Sequence, residues 1–131
     1  MAKRIILASS SFYRVDLLRT IGYKPDIIMP ADIDETPYKK ELPNRLALRL
    51  SQEKAVKISK NYFDDLVLAA DTVTAVGREI LPKVMNEKDA RYCIQKLSGR
   101  RHRVYSGVSA IYQDKMVSKI GMNIIAFKRL S

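Results

Sequence analysis

The chain has 131 residues, a length that suits one domain of ordinary size and can bury roughly two-thirds of the surface that the unfolded chain exposes. Hydrophobic residues make up 47% and charged residues 29% of the sequence, a balance that excludes a disordered chain. The formal net charge of +10 favours a polyanionic partner, namely nucleic acid, a phosphorylated small molecule or an acidic membrane face.

Several classes of protein lack support in the sequence. A single cysteine excludes an internal disulfide framework and a cysteine-based zinc site. No apolar run approaches the roughly 18 residues of a membrane-spanning helix, and the apolar stretch near the N-terminus is too short for a signal peptide. We therefore expect a cytoplasmic protein without a membrane-spanning segment, and a membrane is not expected among its partners. No repeat or linker-like tract divides the sequence, so residues 1–131 are predicted to form a single domain.

The first half of the chain alternates between apolar runs, which predict short strands, and segments of helical spacing. Three prolines mark the segment between Pro30 and Pro43 as a loop. In chain order, the predicted elements are a strand over Arg4–Ala8, a helix over Arg14–Ile21, a strand over Asp26–Met29, the loop, and a helix over Asn44–Asn61.

The second half of the chain continues this alternation and ends in a hairpin. The continuous apolar run Leu66–Ala70 is typical of a central strand that is buried on both faces. The elements after it are a hairpin over Val73–Leu81 that turns at Gly77-Arg78, a helix from an N-cap at Asn86 to Leu97, and two paired strands over Val104–Tyr112 and Met116–Phe127. This order predicts an α/β fold with a mixed, twisted sheet flanked by helices.

Serine residues follow the first predicted strand, where a helix is expected to begin. Serine hydroxyls and free backbone N–H groups at a helix start form an anion site, and an arginine there can bind phosphate. Ser9 and Arg14 are the candidates for this role. A serine N-cap beside a solvated arginine accounts for the same residues, and on sequence alone this simpler interpretation is favoured because capping serines are common.

Two acidic segments offer candidates for catalysis or metal binding. Asp32-Ile33-Asp34-Glu35 in the loop could bind Mg²⁺ through water, although its spacing alone favours a solvent-facing acidic loop. Asp71 is predicted to close the apolar strand, at the edge where open α/β sheets bind ligands. A carboxylate at a buried strand end is costly without a partner or a role. General base, metal ligand and structural cap are all open for Asp71.

The remaining polar candidates do not stand out by spacing. Lys54 and Lys83 are two of many lysines, and Cys93 lies on an apolar helical face as a core residue would. His102 is the only histidine, and its arginine-rich surroundings argue against Ser-His or Cys-His catalysis. The basic run from Gly99 to Arg103 could indicate nucleic-acid binding, but aromatics are only 8% of the chain, so a solvated or triphosphate-facing patch is favoured.

Taken in order, several segments resemble motifs of the Maf family of nucleoside triphosphate pyrophosphatases. Any one of these motifs is weak, but the ordered set is specific and spans essentially the whole chain. The motifs are Leu7-Ala8-Ser9-Ser10-Ser11 with Arg14, Ile33-Asp34-Glu35, Glu53-Lys54-Ala55, Ala70-Asp71-Thr72-Val73, Leu81-Pro82-Lys83, Leu97-Ser98-Gly99 with His102, Val104 and Gly107, and Phe127-Lys128-Arg129-Leu130-Ser131.

The resemblance implies a Maf/ITPase-like fold and the hydrolysis of a nucleoside triphosphate to the monophosphate and pyrophosphate, assisted by a divalent metal such as Mg²⁺ or Mn²⁺. By match of position, Asp71 would be the catalytic base that activates water, and Glu35 and Asp71 would hold the metal. The phosphates would be bound by Ser9, Arg14, Lys54 and Lys83. Nucleic acid is not expected as a partner.

The sequence departs from the family pattern after the first strand. The family's Ser-Pro-Arg-Arg is replaced by Ser11-Phe12-Tyr13-Arg14, so that one arginine is missing and the grip on phosphate is expected to be weaker. An aromatic residue before the arginine is similar to the branch associated with methylated guanine nucleotides. In contrast, Asp71-Thr72 resembles the branch that handles dTTP and UTP, and the base preference therefore stays open.

Family chains also continue past the block that Phe127–Ser131 matches, so this chain resembles the amino-terminal two-thirds of the family domain. The rival expectation is therefore a truncated, inactive remnant or half of a split protein. Such a chain would leave a sheet edge and apolar surface uncovered, which a homodimer could cover. It would be less stable than a full family member and would have weak or no turnover. A basic nucleic-acid-binding module is a third and less favoured interpretation.

Overall fold

The computed structural model describes residues 4–9, 22, 24–83 and 86–126. The predicted helix over Arg14–Ile21 and the motif at Phe127–Ser131 therefore lie outside the described residues. Within the described residues, the secondary structure comprises six strands and two helices. They are β1 (Ile5–Leu7), β2 (Ile27–Ile28), α1 (Pro43–Ser59), β3 (Leu66–Val76), β4 (Glu79–Ile80), α2 (Glu87–Leu97), β5 (Arg101–Tyr112) and β6 (Lys115–Ala126).

The strands form one mixed sheet in the order β2-β1-β3-β5-β6, with β4 paired to β3. β1 runs parallel to both β2 and β3, whereas β3 pairs antiparallel with β4 and β5, and β5 pairs antiparallel with β6. The predicted α/β fold with a mixed sheet is therefore confirmed. The predicted turn at Gly77-Arg78 is also present, and Gly77 adopts the positive φ of 60° that a glycine tolerates without strain.

Helix α1 begins at Pro43, where the missing N–H of proline leaves no hydrogen bond unmade. Its buried stripe packs on β3 and β5 as two hydrophobic clusters. The first cluster is Ala55 and Ile58 with Ile6, Ala8, Val67, Ala69 and Ile111. The second cluster is Leu46, Ala47 and Leu50 with Val73. Along β3, these clusters lie on either side of Asp71, so the position between them is shielded by apolar side chains from both directions.

Strand β3 differs from the prediction in its length. It runs without interruption from Leu66 to Val76, so Asp71 lies in the middle of a strand and does not close one. Its ladder with β5 is continuous from the pair Leu66–Tyr112 to the pair Ala75–Arg103. This ladder supplies backbone hydrogen-bond partners across the polar residue, which is why the strand does not end there.

Gly107 of β5 lies directly opposite Asp71 in the ladder. A Cβ atom at this position would lie 2.3 Å from the carbonyl oxygen of Ala47 in α1. The backbone of α1 therefore rests directly on the sheet at Gly107, a close approach that a glycine in a strand permits. This contact sets the distance between α1 and the strand that carries Asp71.

Helix α2 and strand β6 complete the described structure. The Asn86 side chain accepts a hydrogen bond of 2.8 Å from the Asp89 N–H, which confirms the predicted N-cap, and Cys93 is buried as expected. Every residue of β6 except Ser118 is exposed, and the exposed residues include large apolar side chains such as Val117 and Ile124. No helix in the described residues has the length and apolar character needed to cross a membrane.

Candidate active site

Four separate segments bring two carboxylates and two lysines together at the α1–β3 interface. Asp71 comes from the middle of β3, Lys54 from α1, Glu35 from the loop that precedes α1, and Lys83 from the segment after β4. Lys54 Nζ lies 2.8 Å from Asp71 Oδ1 and 3.4 Å from Glu35 Oε1. Lys83 Nζ lies 2.6 Å from Glu35 Oε1 and 3.7 Å from Asp71 Oδ1. Each lysine therefore contacts both carboxylates.

Asp71 is 1% exposed, among the most buried side chains of the described structure. Its position in β3 places it on the same face as Val67, Ala69 and Val73, which pack against α1. Burial of a carboxylate is costly unless an opposite charge compensates it, and Lys54 provides that charge from within the same interface. Asp71 Oδ2 has no hydrogen-bond partner among the described residues, so one of its oxygens keeps its full capacity to accept.

Glu35 is held at the rim of the cluster by both lysines. Partial burial by itself would raise the pKa of this carboxyl, but the hydrogen bonds and positive charges of Lys83 and Lys54 outweigh it, and the net pKa is lowered. Lys83 is 58% exposed, whereas Lys54 is buried. The two lysines thus differ in freedom, because Lys83 can move toward a ligand from solvent while Lys54 is packed in place.

A cavity of about 310 Å³ opens beside this cluster. Glu35, Asp71 and Lys83 line its polar end. Most of the remaining lining is apolar and consists of Pro37, Leu46, Leu50, Val73, Ile80, Leu81 and Pro82, together with Thr72. An apolar concave wall with a few polar groups is the usual form of a small-molecule site. The apolar part can accept an organic group, while the lysines neutralise an anion at the polar end.

The acidic loop residues differ in their contacts and exposure. Asp34 Oδ1 accepts a hydrogen bond of 3.0 Å from the Thr36 N–H, and contact with Thr36 lowers the pKa of this carboxyl. Asp32 and Asp34 are both exposed, so the solvent-facing interpretation holds for these two residues. Only Glu35 of this acidic segment lines the cavity.

The remaining candidate residues of the sequence lie in different parts of the structure. Ser9 is buried directly after β1, and the preceding Ala8 N–H donates to the Leu68 carbonyl at 2.8 Å, which places Ser9 beside the part of β3 that leads to Asp71. Arg14 lies outside the described residues. His102 and Cys93 are buried, and neither they nor the basic run from Gly99 to Arg103 line the cavity that contains Asp71.

Sequence reasoning missed two features of this site. It did not identify the apolar walls of the cavity, because Leu46 and Ile80 read as ordinary core residues. It also gave no packing role to Gly107, although a glycine inside a β-rich segment is the usual sign of a close backbone approach.

Two carboxylates are too few for a metal site made by protein alone, and no group of three potential ligands occurs among the described residues. They are suited, however, to a Mg²⁺-like ion that is shared with phosphate oxygens, because Mg²⁺ often binds through one or two carboxylates plus substrate phosphates. The unpartnered Oδ2 of Asp71 is an oxygen of the required kind. The residues therefore fit a metal that is completed by a phosphorylated ligand.

Comparisons with known proteins agree with the family resemblance of the sequence. A family model described as Maf-like protein matches residues 4–131. A dTTP/UTP pyrophosphatase of Caulobacter vibrioides is 50% identical over 128 residues, which are 97% of this chain and 66% of the relative. A nucleoside triphosphate pyrophosphatase of Rickettsia rickettsii is 50% identical over 132 residues, which are 97% of this chain and 61% of the relative. The chain thus spans about 61–66% of the length of these curated relatives.

Solved structures share the fold at much lower sequence identity. The Ham1 protein of Staphylococcus aureus is similar with a TM-score of 0.54 at 17% identity, over 94% of this chain and 70% of the other. A protein of Vibrio cholerae is similar with a TM-score of 0.55 at 7% identity, over 97% of this chain and 59% of the other. At these identities, the likeness concerns the fold alone.

Proposed function

This chain belongs to the Maf-like protein family, and on that premise we propose that it hydrolyses a nucleoside triphosphate to the monophosphate and pyrophosphate. The observation that supports this proposal best is the buried carboxylate of Asp71, joined to Lys54 and Lys83 at the polar end of a cavity with apolar walls. A triphosphate requires positive charge for its phosphates, an acceptor for the proton of water, and space for its nucleoside. The cavity, together with the cluster of four charged residues beside it, offers each of these.

The two lysines are proposed to bind the phosphates. In the cluster, they are balanced by the two carboxylates, with 2.8 Å between Lys54 and Asp71 and 2.6 Å between Lys83 and Glu35. The exposed Lys83 reaches an incoming phosphate group first and brings it toward the buried Lys54. Positive charge fixed where negative charge develops is the main source of rate enhancement in phosphoryl transfer. We propose that Ser9 and Arg14 add to this phosphate contact.

Asp71 is proposed to act as the general base. A water molecule gives its proton to Asp71, most simply to the unpartnered Oδ2, while the water oxygen bonds to phosphorus and the bridge between the α- and β-phosphates breaks. Pyrophosphate leaves, and the other product is the nucleoside monophosphate. Lys54 fixes the orientation of the carboxylate, since it donates a hydrogen bond to Oδ1 from the opposite side of the interface.

A divalent cation, Mg²⁺ or Mn²⁺, is proposed to be held by Glu35 and Asp71 together with the phosphates. When bound, it would supply positive charge to the phosphate oxygens that the lysines do not reach. The role of the chain's own residues is to offer carboxylate oxygens to that cation and to keep bulk water out with the apolar walls of the cavity.

The substrate is proposed to be a pyrimidine nucleoside triphosphate. The support is the 50% identity to the Caulobacter vibrioides protein named dTTP/UTP pyrophosphatase. The cavity of about 310 Å³ is at the small end of the range typical of ligand sites, which agrees with a single-ring base.

The test is an assay of products from a panel of nucleoside triphosphates in the presence of Mg²⁺ or Mn²⁺. The expected result is equal release of monophosphate and pyrophosphate, detected by phosphorus NMR, with dTTP and UTP preferred over ATP and GTP. Release of inorganic phosphate with a diphosphate would contradict the proposed bond cleavage. Absence of turnover from folded chain with every substrate would favour the inactive alternative.

A further inference from the structure

A second cavity, of about 430 Å³, lies where the turn between β3 and β4 meets the beginning of β5. Its lining residues are Gly77, Arg78, Arg101, His102, Arg103 and Ile124, and it shares none of them with the cavity that contains Asp71. In the β3–β5 ladder, Arg103 pairs with Ala75 while Gly107 pairs with Asp71. Four residues of strand, or roughly 13 Å, therefore separate this place from the proposed catalytic carboxylate.

No carboxylate among the described residues compensates the charge of this cavity. Its three arginines are joined by no carboxylate in the lining. Within the described ranges, the guanidinium groups of Arg78, Arg101 and Arg103 make no ion pair or hydrogen bond. Three other described arginines have carboxylate partners, namely Arg4 with Asp65, Arg49 with Glu41 and Glu53, and Arg91 with Glu87.

We propose that this cavity binds an oligophosphate, that is, an anion with two or more linked phosphoryl groups. A guanidinium presents planar paired donors that match phosphate oxygens, which makes arginine better suited to this ligand than to a halide or a neutral molecule. The three arginines carry three positive charges, whereas one phosphoryl group carries roughly two negative charges. A single phosphate would therefore leave positive charge in the cavity unneutralised. Two or three linked phosphoryl groups match the charge.

The shape of the cavity favours a small oligophosphate over a nucleic-acid strand. Arg101 and Arg103 lie two residues apart on β5 and therefore project to the same face of the sheet, while Arg78 enters from the neighbouring turn. The three guanidinium groups therefore surround one cavity. Strand-binding proteins combine a basic groove with aromatic side chains on which bases stack. Among the residues that the structure describes, the lining contains no phenylalanine, tyrosine or tryptophan, and Ile124 is its one large aliphatic side chain.

The basic run from Gly99 to Arg103, for which a solvated or triphosphate-facing patch was expected, is thus assigned a separate anion site, beyond the proposed hydrolysis. The two sites can be distinguished by stoichiometry. The test is calorimetric titration of the full chain with inorganic triphosphate, comparing the wild type with Arg101→Ala/Arg103→Ala. The double variant is expected to show one binding site fewer than the wild type, while its rate of nucleoside triphosphate hydrolysis, whatever that rate is, stays unchanged.

The matched control is Arg45→Ala/Lys119→Ala, which removes two exposed positive charges elsewhere and is expected to keep the wild-type stoichiometry. An equal loss in this control would mean a general effect of net charge and would overturn the proposal. So would an unchanged stoichiometry in Arg101→Ala/Arg103→Ala. A parallel titration with a short single-stranded oligonucleotide completes the test. If only oligonucleotide binding is lost in that variant, the cavity recognises a nucleic-acid backbone, and the oligophosphate assignment is wrong.

Discussion

Lys54 and Asp71 form an ion pair of 2.8 Å in the interior of the α1–β3 interface, where the Lys54 side chain is 10% exposed and the Asp71 side chain 2%. Removal of one member of a buried pair leaves the other charge without compensation. We therefore expect Lys54→Met to lower the free energy of unfolding by about 3–5 kcal/mol, measured by urea denaturation. In the double variant Lys54→Met/Asp71→Leu, most of this loss should be recovered, and a loss as large as the sum of the single effects would argue against the pair.

Lys83 contacts the same two carboxylates from an exposed position, so it provides a natural comparison. Exposed ion pairs contribute only about 0–1 kcal/mol because solvent screens them. Lys83→Ala is therefore expected to unfold at nearly the wild-type urea concentration while its kcat/KM falls by at least tenfold. A variant that loses stability but keeps kcat/KM would show that Lys83 supports the fold and does not contact the substrate.

Asp71→Asn tests the proposed proton acceptor. The amide has nearly the shape of the carboxylate but cannot take a proton from water, so pyrophosphate release should fall by about 10²–10⁴-fold. The rate is measured per folded molecule, with circular dichroism as the check on folding. Asp65→Asn is the matched control, because Asp65 is also a buried carboxylate with a cationic partner, Arg4, but lies outside the cavity. A wild-type rate in Asp71→Asn would exclude Asp71 as the base.

Gly107→Ala should disturb the site without touching any charged residue. The new methyl group would lie 2.3 Å from the Ala47 carbonyl oxygen, so α1 must move away from the sheet and carry Lys54 with it. Overpacking of this kind costs about 1–3 kcal/mol. Gly121→Ala is the control on the neighbouring strand, since nothing lies within 4 Å of its added methyl group. Equal melting temperatures for the two variants would contradict the proposed close packing.

The lysines lower the pKa of Glu35, and this gives a definite pH dependence. A carboxyl whose pKa is lower in the folded state contributes stability that is fully present above its ordinary value of 4.5 and is lost as the pH falls through the lower folded value. The wild type should therefore melt above Glu35→Gln near neutral pH, and the difference should shrink below about pH 4.5. Melting temperatures recorded between pH 3 and pH 7 measure it. A difference that grows toward acid would reverse the inferred sign.

Local signals were sufficient to predict much of the fold. Asn86 caps a helix through a residue only three positions away, and Gly77 turns a hairpin between adjacent strands. Features of this kind depend on neighbours in the chain, so they are visible in the sequence. The apolar spacing of α1 belongs to the same class, and its observed span of Pro43–Ser59 is close to the predicted one.

The arrangement of the site depends on distant contacts and could not be predicted in the same way. The sequence placed Asp71 at a strand end because a carboxylate is rare inside a strand. The compensating Lys54 is 17 residues away, and the hydrogen bond between Lys83 and Glu35 joins residues 48 positions apart. Spacing did not distinguish either lysine from the many others. Family resemblance selected the four residues, and the structure shows that they are close together.

The mid-strand position of Asp71 ties chemistry to the pairing of the sheet. Successive side chains of a strand point to opposite faces, so a slip of β3 by one residue would turn this carboxylate away from α1 and put Ala70 or Thr72 in its place. The ladder that runs from Leu66–Tyr112 to Ala75–Arg103 opposes such a slip over the whole length of the strand. Turnover would thus report whether β3 in a sample is paired in the native register. Molecules with β3 in a shifted register would have much the same secondary structure by spectroscopy but would not hydrolyse the substrate.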